Sequence, residues 1–196
     1  MQRLLFGIDR FSAWTGKIAA WLIVVMTVEI SYDIIIRKLS QPFPFLREIW
    51  FTYYYAYDAT YYLYAMLFML GGAYALSRGQ HLRGDVFYRL WPVRVQAAVD
   101  VVLYLFAFTP GILALISTGT QWALLSMQIG ERSFSTALAP PIWPLKWVIP
   151  IAGSLMLIQG VAEWSRALIA LRTGVWPPRL MDVEETETAL AASEEL

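Results

Sequence analysis

Glu29, Asp33 and Arg37 fall four residues apart, so a helix would carry all three along one side. They stand in an otherwise apolar run. Acids in such a run are rare and face a protein interior or a partner. Three readings fit. Asp33 and Arg37 pair near the membrane boundary with Glu29 reaching toward water, or the three form a polar seam against another subunit, or they relay a proton or ion. Asp58 stands just ahead of a second apolar run, Ala59 to Leu76. That run is followed by a short polar loop in which Arg78, His81, Arg83 and Asp85 alternate around Gly79 and Gly84. The arginines of this loop could dock a partner or bind lipid phosphate. Alternatively the loop is a turn held by its own Asp85–arginine bonds, with the arginines fixing topology. Glu163 and Arg166, three apart near the end of the last apolar run, read as a boundary pair.

Much chemistry is excluded. The chain has no cysteine and a single histidine, His81. Disulfides, thiolate metal sites, a cysteine nucleophile and a bis-histidine haem are therefore ruled out within it. There is no HExxH, no phosphate-binding glycine loop and no serine–histidine–acid pattern that topology would assemble. The expectation is a non-enzyme without catalytic, cofactor-binding or metal-binding residues.

The elements that position these residues are membrane spans. The 196 residues are 58% hydrophobic and only 15% charged, with mean hydropathy +0.51; soluble domains average about 25% charged. The pattern predicts an all-α integral membrane protein with four transmembrane helices, at about 13–36, 59–77, 98–127 and 147–171. They form a single membrane domain over 1–175, followed by an acidic, disordered tail over 176–196. Leu4, Leu5, Ile8 and Phe11 predict a short amphipathic N-terminal helix at the interface. Prolines 42 and 44 break the chain, and the aromatic-rich segment Leu46 to Tyr57 predicts a second interfacial helix. Pro110-Gly111 predicts a kink in the third span. Pro150 is placed in the first turn of the fourth, where proline is tolerated. Gly71 and Gly72 allow close helix packing, within the chain or against a partner.

Lysine and arginine placement sets the orientation. Ten of the fifteen lie in the N-terminal region, the middle loop and the C-terminal region. That bias predicts both termini and the His81 loop in the cytoplasm, with membrane lipids around the spans and no nucleic-acid partner.

At the polar loop a family resemblance becomes specific. Leu63 to Leu76, with its Gly71-Gly72-Ala73-Tyr74-Ala75 ending, followed by Arg78 and His81-Leu82-Arg83-Gly84-Asp85, resembles the small membrane subunit of tripartite ATP-independent periplasmic (TRAP) transporters, the DctQ type. Tyr32-Asp33 through Arg37, Pro144-Leu145-Lys146, Ile149-Pro150-Ile151 and Leu157-Ile158-Gln159-Gly160 are also similar to that family. Gly84 departs from it, standing where an apolar branched residue is usual. So does Asp58, where a glutamate is common. The resemblance implies a scaffold in the bacterial inner membrane that braces a large multispanning permease subunit and helps dock a periplasmic substrate-binding protein. Sodium coupling and organic-acid uptake then belong to the large subunit. Glu29, Asp33, Arg37, Asp58, Gly71 and Gly72 become candidates for the contact with it. Two other classes remain open: a respiratory membrane anchor with a quinone site, and a small self-sufficient multidrug-type transporter resting on Glu29.

Overall fold

Backbone N–H and C=O groups find no water in hydrocarbon, so an isolated apolar run crosses it as a helix. The computed structural model, which describes residues 2–43, 45, 52–79, 88, 90–136 and 139–180, follows that rule. Helix α1 is Gln2–Leu39, α2 is Thr52–Ser77, α3 is Val93–Leu103, α4 is Thr109–Gln128 and α5 is Trp143–Thr173. A π turn, Tyr104–Phe108, joins α3 to α4, making one continuous helical stretch from Val93 to Gln128. Four stretches are thus long and apolar enough to span a membrane, as the sequence predicts. Among the described residues the isolated bridge between Arg132 and Pro141 is the extended pairing observed.

The N-terminal segment and the first span are one helix rather than two. At 1.5 Å per residue, the 38 residues of α1 extend about 57 Å, against a hydrocarbon core of about 30 Å. The apolar residues expected on one face do not share one environment. Leu5, Asp9, Ser12, Gly16 and Ala19 are buried, whereas Leu4 and Phe11 are exposed. In lipid the outward surface is the apolar one, so the polar stripe seeks protein. The second interfacial helix lies partly outside the described residues, and from Thr52 onward its residues are the first turns of α2.

Contacts divide the chain into two units. The first comprises Met1–Thr15, Gly72–Ala114 and Gly153–Leu196. Within it, the predicted irregularity at Pro110 is realised one turn earlier. Pro110 has no N–H to donate, and the preceding residue, Thr109, directs both its N–H and its hydroxyl to the Tyr104 carbonyl, the hydroxyl at 2.7 Å. The Phe108 ring lies directly on Gly160, where a Cβ would come within 2.1 Å of it. Trp176 Nε1 donates to Gln96 Oε1 at 3.3 Å, while Gln96 Nε2 donates to the carbonyls of Tyr88 and Trp91. Trp176, Arg179 and Leu180 thus bond to residues of this unit.

The second unit comprises Gly16–Gly71 and Leu115–Ala152. Here α4 ends in a Schellman motif: Glu131 N–H reaches the Ser126 carbonyl at 3.0 Å and Gly130 N–H the Met127 carbonyl at 3.3 Å. The motif needs a left-handed residue, supplied by Gly130 at φ 61°. Pro150 lies inside α5 rather than in its first turn. The helix starts early because Pro144, in the opening turn, removes only an N–H that has no intrahelical partner. Gly119 receives Ile149 and Pro150, at 2.8 and 3.4 Å from a notional Cβ. Of the four spans α5 is the most enclosed: 44% of its most apolar window is buried, against 6–11% for the others.

Candidate functional site

Among the described residues, three polar clusters form within the helices and their connections. The first, in the first unit, centres on Arg166 of α5. Its guanidinium grips Asp9 of α1 with both terminal nitrogens, at 2.5 and 3.1 Å. The same group donates to Glu163 one turn back at 2.6 Å. Arg179, beyond the end of α5, donates to the other Glu163 oxygen at 2.8 Å. Gln159 bridges Asp9 and Ser12, donating to the former at 3.0 Å and accepting from the latter at 2.8 Å. Asp9, Ser12, Gln159, Glu163 and Arg166 are all buried. Two carboxylates meet two guanidinium groups, so the charge closes within the cluster. The Glu163–Arg166 pair therefore forms as its spacing predicts, and it does so as part of a buried cluster.

The second cluster, in the second unit, ties the α4–α5 connection to α2. Buried Asp58 accepts from Ser133 at 2.6 Å and from Thr136. Lys146, buried in the first turn of α5, donates to Glu131 at 2.5 Å and lies 4.2 Å from the Trp122 ring centre. That lysine bond is the main cause holding the Glu131 carboxyl below the usual glutamate range.

The third cluster, also in the second unit, holds the acids of the first span. Arg37 Nε bonds Asp33 Oδ2 at 2.7 Å, and Thr60 Oγ1 lies 2.7 Å from Glu29 Oε2. Asp33, Arg37 and Thr60 line a cleft of 390 Å³ with Ile30, Ala56, Tyr57, Tyr61 and Tyr64. Glu29 Oε1 and Asp33 Oδ1 are closed off from solvent and accept no hydrogen bond.

The predicted residues thus separate. Glu29, Asp33 and Arg37 share one region with Thr60, and Asp58 bonds elsewhere, within its own chain. Gly72 packs against Met156, at 3.1 Å from a notional Cβ, while Gly71 has nothing within 4 Å. Arg78 stacks over Tyr74 at 5.3 Å. His81, Arg83 and Asp85 lie outside the described residues. Among the described residues no three acids or histidines gather as metal ligands would. Sequence reasoning missed Asp9, Ser12, Gln159 and Arg179. A signal existed: Gln159, Glu163 and Arg166 recur at helical spacing with small Ala162, Ala167 and Ala170, a polar stripe that calls for a partner in lipid.

Comparison with protein families gives a match to the DctQ component of tripartite ATP-independent periplasmic transporters over residues 26–170. No curated protein matches the chain. The matched region holds α5's side of the Arg166 cluster, all of the Asp58 and Lys146 contacts, and the Glu29–Asp33 cleft. It spans well over half of the 196 residues, and the chain belongs to the DctQ family, the small membrane component of TRAP transporters.

Proposed function

We propose that this chain braces a large multispanning permease subunit in the bacterial inner membrane and helps form the surface on which a periplasmic substrate-binding protein docks. The assembly imports organic acids with sodium, and the sodium and substrate sites lie in the large subunit. The small chain does no chemistry and carries no cofactor. Both termini face the cytoplasm, as the distribution of lysine and arginine favours. Exposed apolar side chains such as Val28, Phe68 and Phe106 contact lipid or the permease.

The family match over residues 26–170 carries this reading. The Arg166 cluster supports it, since its buried charges bond to one another as in a fastening between helices. Transport paths instead keep polar groups for the substrate. The test is to tag the chain, express it in its native host, extract it in mild detergent and identify what co-purifies in equal amount. A multispanning permease is expected. A flavoprotein or iron–sulfur partner would overturn the proposal.

A further inference from the structure

Three acids inside the spans, Glu29, Asp33 and Asp100 of α3, have incomplete bonding, and of these Glu29 and Asp33 lie one turn apart on one helix. Each has one oxygen that is enclosed yet accepts no hydrogen bond. Among the described residues, one guanidinium, Arg37, and one hydroxyl, Thr60, stand against these two acids. That hydroxyl is also placed 3.0 Å from the Ala56 carbonyl, and a single proton serves one acceptor at a time. The site is therefore short of donors and carries an excess of negative charge in an apolar setting, where an unmatched group is costly.

The cleft beside them supplies both an entry and a wall. Asp33 lines it directly, and Glu29 adjoins it through Thr60. Tyr57, Tyr61 and Tyr64 recur on one face of α2 and are 67%, 54% and 57% exposed. Tyrosine rings attract cations through their faces. The terminal torsion of an aspartate is broad and soft, so Asp33 Oδ1 can swing toward a donor entering the cleft.

We propose that this cleft receives a lysine or arginine side chain from a membrane-spanning helix of the permease subunit. The inference rests on the bracing role proposed above and names the chemistry of its contact. A lysine or arginine matches what the site lacks: several donors, positive charge and an apolar stem that packs on tyrosine. A lipid ammonium offers similar charge, but only at headgroup level. Glu29 and Asp33 lie within the predicted first span, about 13–36, and Glu29 is ten residues, about 15 Å along the helix, before the end of α1. A side chain from a neighbouring helix approaches sideways at any depth.

Two measurements in the native host test this. In the first, a photoreactive benzoyl-phenylalanine replaces Tyr61 or Tyr64, and cross-linked products from irradiated membranes are identified by mass spectrometry. The expected product is a permease peptide from a membrane span with a lysine or arginine within one helical turn of the linked residue. Cross-links to lipid alone, or to a span lacking basic residues, overturn the inference. In the second, the double variant Glu29→Gln/Asp33→Asn should capture about tenfold less permease, as expected when charge-assisted hydrogen bonds are lost. It should keep the wild-type melting temperature as an isolated chain, while Asp33→Glu should retain capture. Undiminished capture by the double variant overturns the inference and leaves the bracing role standing. Failure of the wild type to capture any permease overturns the bracing role itself.

Discussion

The Arg166 cluster and the Glu29–Asp33 cleft are built from the same residue types and end in opposite states. Around Arg166, both Asp9 oxygens and both Glu163 oxygens accept hydrogen bonds and the charges cancel, with the Arg166 Nε left as a buried donor without an acceptor. In the cleft, one oxygen of each acid accepts none. A buried ionic cluster that closes on itself fixes which helices meet. One that stays open leaves room for a further donor, the one proposed above to come from the permease. Under the bracing role proposed above, the first kind serves the chain's own fold and the second serves assembly.

The comparison breaks most visibly at Arg166. Arg166→Leu strands Asp9 and Glu163 without their shared cation and should cost the isolated chain about 3–5 kcal/mol, read as a fall in melting temperature in detergent. Adding Asp9→Leu should recover part of that loss, because the pair is then replaced by apolar groups and not merely broken. A double variant worse than the sum of the singles would contradict this account of the cluster. Asp58→Ala should come next, at about 1–3 kcal/mol, since Ser133 and Thr136 lose their common acceptor. Limited proteolysis between α4 and α5 should speed up with it, and an unchanged cleavage rate would count against that role.

Two glycines sharpen the contrast. Gly160→Ala drives a methyl into the Phe108 ring and should cost about 1–3 kcal/mol by overpacking. Gly71→Ala meets nothing within 4 Å and should leave the melting temperature unchanged or slightly raised, by the loss of about 0.5–1 kcal/mol of glycine's helix penalty. Gly71→Leu should then reduce capture of the permease without destabilising the isolated chain, if that open face is a contact.

The smallest effect is a pH dependence. Lys146 lowers the Glu131 pKa in the folded chain, so their bond contributes fully above the ordinary glutamate pKa, about 4.3. The contribution is lost as pH falls through the lower, folded value. Melting temperatures of the wild type and Glu131→Gln should differ at neutral pH and converge in acid. A difference that persists in acid would assign the effect to packing.

Long apolar runs made the four spans legible, because hydrocarbon leaves the backbone no other way across. The Asp33–Arg37 pair was legible because it is local, one turn apart on one helix. The Asp9–Arg166 pair was not, since 157 residues separate its members and no periodicity links positions that far apart. The buried side of α1 was not legible, because an interfacial amphipathic helix accounts for Leu4 and Phe11 and says nothing of Asp9 and Ser12. In lipid, Leu4 and Phe11 rest comfortably outside while Asp9 and Ser12 turn inward. The π turn was foreshadowed by Pro110, but its position depends on Thr109 finding the Tyr104 carbonyl. The family was legible from the motifs around Gly71, His81 and Pro144, although His81 itself lies outside the described residues.

The most direct test compares Arg166→Leu with Glu29→Gln/Asp33→Asn, measuring for each both the melting temperature of the isolated chain and the permease captured from native membranes. The account predicts a split: the first variant loses stability, and the second loses capture at wild-type stability. Equal loss of stability in both, or full capture by the second, would contradict the division between an inward fastening and an outward one.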